Sequence, residues 1–237
     1  MPEPDQLVLL LRLDALLQSW GTNAQGTVKT TLNEPSFSGI VGLIANAMGR
    51  TRDQSVEDLA ALHFAVRTDV PGQLMRDYQT AGTVGGIIAR KEYTTRGGTR
   101  AFKDVLEGGK ELHKHYLAGA SFTAALWGEE TVMEAAAAAL HRPARALYLG
   151  RRACPPAVPV LAGLHRGDPV RMLETYPAHR LADPAAPVKV TVPSVPGDGG
   201  GRAQFDHPLD FGTHTRSYLP RYVRSYQVPA PPVEVSA

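Results

Sequence analysis

The first apolar run, Leu7-Val8-Leu9-Leu10-Leu11-Arg12-Leu13, is continuous rather than alternating. That pattern predicts a strand buried on both faces. A polar loop rich in Thr, Asn and Gly opens after Gln18-Ser19-Trp20-Gly21. From Ser38 to Met48 the apolar residues fall at helical spacing, with Ser36 or Ser38 as the cap and Gly49 as the stop. Phe64-Ala65-Val66-Arg67 predicts a second strand and the alternating Ser121–Trp127 a third. Thr131 and Glu134 have capping-box spacing ahead of the alanine run Ala135–Ala139, and Arg142-Pro143 ends that helix. Val188–Val192 and Tyr222–Val228 are the remaining strand candidates. Strand, helix, strand, then strand, helix predicts an α+β sheet of ferredoxin-like (RRM-like) type. The Pro- and Gly-rich stretch 181–202, with Gly199-Gly200-Gly201, is expected to be a mobile loop region, and 229–237 a frayed tail.

The chain has 237 residues, 43% hydrophobic and 20% charged. It is read as a single domain large enough to bury a core. Its one cysteine, Cys154, rules out an intramolecular disulfide and any Cys-based metal site, so a reducing, cytoplasmic setting is expected. No secretory signal, membrane span or cofactor-binding motif is predicted.

Net charge is only +2, but the acids are unevenly spread. Between Ala15 and Asn33 there is none, and Lys29 is the sole charge. Gly85–His115 holds seven Lys or Arg, including Arg90, Lys91 and Lys114, against four acids. Ala135–Gly167 is acid-free and carries Arg142, Arg145, Arg151, Arg152 and Arg166. From Phe211 to Val233, Arg216, Arg221 and Arg224 interleave with Tyr218, Tyr222 and Tyr226, again without an acid. Such segments suit a groove that tracks phosphates and stacks unpaired bases. Each alone also fits a solvated surface. Within Tyr148-Leu149-Gly150-Arg151-Arg152, the glycine would admit a ligand and the arginines grip successive phosphates. Arg76 and Tyr78 could read single-stranded RNA, as could Gln18 and Trp20, although a tryptophan is more often core.

For an enzyme the signals are thin. There is no Walker loop, nucleophile elbow or His-x-x-x-His metal pair. A metal-independent ribonuclease could draw on His113, His115 or Tyr116 beside Lys114. A protein-interaction scaffold without RNA contact is the third reading.

The ordered set Leu11-Arg12-Leu13, Gln18-Ser19-Trp20-Gly21, Ser38–Leu43, Phe64–Arg67, Arg76–Tyr78, Ala120–Trp127 and Tyr148–Pro155 resembles the CasD family. These are RAMP-superfamily subunits of type I-E CRISPR surveillance complexes (Cascade). The resemblance implies a RAMP palm with an inserted β-hairpin thumb at 82–114. It implies a non-catalytic subunit that binds the 5′ handle of the crRNA, contacts the backbone subunit CasC and the large subunit CasA, and meets target DNA only through the complex. It carries handle contact onto Tyr148, Arg151 and Arg152, and a basic thumb-base contact onto Lys114. Arg145 falls where relatives carry an aromatic. In type I-C systems the corresponding protein cuts the repeat RNA, which is the source of the ribonuclease alternative.

Overall fold

A computed structural model describes residues 5–21, 27–81, 89–95, 97–105, 110–210 and 217–234. The buried run near the start is β1 (Gln6–Asp14). After the short strands β2 (Leu17–Gln18) and β3 (Val28–Lys29) comes α1 (Phe37–Ala47), capped by the Ser36 hydroxyl, which accepts from Gly39 N–H. Gly49, at φ +76°, ends it. The turn α2 (Glu57–Ala60) leads into β4 (His63–Val70). An antiparallel arm follows: β5 (Gln73–Ala81), β6 (Ala89–Thr94), β7 (Arg100–Val105) and β8 (Lys110–Ala118). The chain returns through β9 (Ser121–Trp127), α3 (Glu130–His141), β10 (Leu161–Gly167) and α4 (Pro169–Thr175). It closes with β11 (Val188–Pro193), β12 (Arg202–Asp210) and β13 (Ser217–Val228).

The fold is α+β with mostly antiparallel sheet. Seven strands run in the order β10-β1-β9-β4-β11-β13-β12. Within it, β1, α1, β4, β9, α3 and β10 alternate as strand, helix, strand, strand, helix, strand. One face packs on α1 and α3 around Leu9, Leu11, Leu13, Phe37, Ile40 and Phe122. The other packs on α4 around Val8, Leu10, Trp127 and Leu173. Burial on both faces is why β1 reads as an unbroken apolar run. Arg67 is wholly buried; it pairs with Asp69 at 2.5 Å and donates to the carbonyls of Leu173, Glu174 and Tyr176, fastening the end of α4 to β4.

Several sequence expectations change. The capping box does not form: α3 starts at Glu130, and the Thr131 hydroxyl bonds Glu129 instead. The reason lies upstream, where Gly128 turns at φ +153° with only glycine space against Leu62, and the helix begins two residues later. Met75–Thr80, for which the sequence predicted no strand, belongs to the nine-residue β5, paired along its length with β8. Within 181–202, the expected strand Val188–Val192 does form, as β11, and lies in the sheet interior between β4 and β13. Residues 229–234 are tethered rather than loose: Ala178 and Val233 form a bridge, Glu234 N–H donates to Ala178 O, and Arg12 pairs with Glu234. Residues 235–237 lie outside the described residues.

Candidate nucleic-acid interface

A groove of about 480 Å³ runs along the outer side of α1. Its floor is Ser38, Gly39, Gly42 and Asn46, two of them without side chains. Arg50 and Arg52, just past the helix end, join Arg145 and Arg152 around it, with Tyr148 and Tyr218. Among the described residues, the lining holds four arginines and no Asp or Glu. Arg50 and Arg52 follow the C-terminus of α1, the end of a helix where positive charge is favoured, whereas Arg145 and Arg152 come from the segment after α3.

The four arginines are not equivalent. Arg50 forms a bidentate pair with Asp58 and also donates to Ser55 O. Arg145 donates to Arg50 O at 2.7 Å and Gly49 O at 2.8 Å, so it fastens the loop after α1 while keeping its charge at the groove. Arg52 and Arg152 are exposed and have no ion pair among the described residues. They are the two cations open to a ligand.

The structure brings Arg145, Tyr148 and Arg152 together around the groove, with the buried Trp20 in its wall, and places the other predicted residues elsewhere. Gln18 is fully buried; its amide donates to Leu13 O and Ala120 O, both at 2.8 Å, and accepts from Trp20 Nε1–H at 3.0 Å. Trp20 is 1% exposed and packs its ring under Gly39. Both were expected to meet a base; both are core, because the one indole N–H and the amide satisfy each other. Gly150 was expected to admit a ligand. Its φ is +89°, and a Cβ there would lie 1.6 Å from Ser19 O, so the close approach is to the chain itself. Arg151 was expected on a phosphate. Its guanidinium instead donates to the carbonyls of His115 (3.0 Å), Lys29 (3.0 Å) and Thr30 (3.3 Å) and lies 4.8 Å over the Tyr116 ring.

The β-arm divides the rest between two faces. Lys114 sits opposite Lys29 on one side and Asp77 on the other, so the three share a face with Tyr116. Lys114 Nζ donates to Gln79, whose own amide donates to Asp77, both at 2.6 Å. Arg76 and Tyr78 lie on the opposite, exposed face with His113 and His115. The Tyr78 ring contacts the His113 ring at 5.2 Å, and a hydrogen bond to Glu111 pushes its phenol above the ordinary value. Arg90 and Lys91 are on β6, and their side chains lie outside the described residues. For the ribonuclease reading, Tyr116 is 4% exposed beneath Arg151, and neither His113 nor His115 lines the groove. Burial pushes the Cys154 thiol up, against any role as a nucleophile.

Sequence reading missed Arg50, Arg52 and the α1 floor. The signal was present: Gly49-Arg50-Thr51-Arg52 places two cations just past a helix that carries glycines at 39 and 42.

Three comparisons bear on identity. Residues 8–234 match the family model for CRISPR-associated protein (Cas_Cas5). The CRISPR system Cascade subunit CasD of Escherichia coli (strain K12) is 32% identical over 183 residues, covering 71% of this chain and 76% of that protein. A chain of a CRISPR RNA-guided surveillance complex superposes with a TM-score of 0.74 at 33% identity, over 94% of this chain and 91% of its own. The crystal structure of a Cas protein gives 0.71 at 29% identity, over 96% and 98%.

Proposed function

The chain belongs to the Cas5 family of CRISPR-associated proteins, and we propose that it binds crRNA as a subunit of a Cascade-type surveillance complex, holding the unpaired 5′ handle in the α1 groove. The observation that carries this is a groove with four arginines and no carboxylate in its described lining, in a chain whose net charge is only +2. Arg52 and Arg152 would neutralise phosphates, while Tyr148 and Tyr218 would stack bases. Ser38 and Asn46 are polar groups within reach of base edges in the same groove. The arm around 82–114 serves as the thumb and meets the backbone subunit CasC; a further surface meets CasA, and target DNA is met only through the complex.

The reading assigns no bond-breaking step to this chain. Arg52→Ala combined with Arg152→Ala, in the assembled complex, should weaken handle binding. The slope of log affinity against log salt should fall by about 0.7 for each phosphate that the protein no longer neutralises. Wild-type affinity and slope in the double variant would overturn the groove assignment. Site-specific cleavage of repeat RNA by the purified protein in EDTA, lost in His113→Ala, would replace it with the ribonuclease reading.

A further inference from the structure

We infer that Arg151 is a positioning residue rather than an RNA ligand: it clamps the groove turn 148–154 to the base of the β-arm. The inference rests on the proposed RNA groove only for its functional consequence. Arg151 reaches carbonyls from two strands, His115 on β8 and Lys29 on β3, plus Thr30 just beyond, and covers the Tyr116 ring. A planar guanidinium can serve three acceptors and a ring face at once, which an ammonium cannot. The strand it secures needs help. β3 is two residues long and pairs with β8 in parallel, through Val28–His113 and Lys29–Lys114. The same turn is locked on its other side: Ser19 N–H donates to Leu149 O at 3.1 Å, and Gly150 leaves no room for a side chain against Ser19 O. Cys154 N–H donates to Arg151 O at 2.8 Å, closing the turn on itself. Tyr148 and Arg152 lie within this clamped turn and line the groove. A shift of β3 or β8 therefore moves the two groups that would face RNA.

The clamp and a phosphate contact differ in what they predict. If Arg151 clamps, Arg151→Ala and Arg151→Lys should both speed hydrogen exchange at the Leu32 and His113 amides, which bond Trp20 O and Thr27 O. Both should weaken handle binding about tenfold with the salt slope unchanged. If Arg151 holds a phosphate, the Lys variant should keep most of the affinity, and the Ala variant should lower the slope as Arg152→Ala does, with exchange unaltered. That result overturns the inference, as does unaltered exchange in both variants whatever happens to RNA. Should the Ala variant fail to fold, Arg151→Gln tests the same exchange readout. Full RNA affinity in the Arg52 and Arg152 variants, beside faster exchange in the Arg151 variants, would sink the groove reading and leave the clamp standing.

Discussion

At the residue scale, Gly150 fixes how the arginine motif is presented. A side chain there meets Ser19 O and also a left-handed φ that L residues rarely adopt. Gly150→Ala should destabilise the fold by about 3 kcal/mol or more, read by thermal or urea denaturation. A near-neutral change would mean the turn at 148–154 is not packed as described. Neighbouring arginines in this motif have opposite fates for an equally local reason. Arg151 finds the carbonyls of His115 and Lys29 within reach, whereas Arg152 is exposed at the groove. Gln18 shows the same logic in reverse: an amide that could read a base is wholly occupied by two carbonyls and an indole N–H.

At the element scale, the arm is built in two stages. β5 and β8 pair over nine positions, and β8 also carries β2 and β3. β6 and β7 pair only with each other among the described residues. A lone two-stranded hairpin has marginal stability in water. In the isolated chain, amides of β6 and β7 should therefore exchange orders of magnitude faster than those of β1 and β9, which lie inside a seven-stranded sheet. Protection equal to that of β9 would show support from residues not described. In the assembled complex, the proposed contact with a backbone subunit should slow exchange across the hairpin.

At the scale of the whole molecule, folding redistributes charge. The acid-free segments of the sequence meet acids from elsewhere: Arg221 pairs with Asp206 and Arg166 with Glu130; outside those segments, Arg202 and Lys189 pair with Glu34. Glu34 ties the segment before α1 to β11 and β12. Burial pushes its carboxyl up, but the hydrogen bonds and charges of Lys189 and Arg202 outweigh burial and hold it below the ordinary value. A lowered folded value means its stabilisation is complete above the unfolded value, about 4.3, and is lost as pH falls through the folded one. Melting temperature should therefore drop between about pH 5 and pH 3, and Glu34→Gln should flatten that limb. An identical acid limb in the variant would remove Glu34 from the account.

The sequence by itself determined the elements whose burial is uniform or strongly periodic. β1, α1, β4, β9 and β11 could be located because apolar spacing reports burial directly, and Tyr148 and Arg152 stood out by residue type. β12 escaped because its inward positions Gln204 and Asp206 are polar and satisfied by Arg202 and Arg221, leaving no alternation to see. β5 and β8 escaped because their pairing is exposed on one face. Which arginines face RNA was decided only in three dimensions. A guanidinium's availability depends on the carbonyls and carboxylates that folding brings to it, and those come from residues up to 222 positions away. Local sequence carries the charge; the fold decides whether that charge is already neutralised.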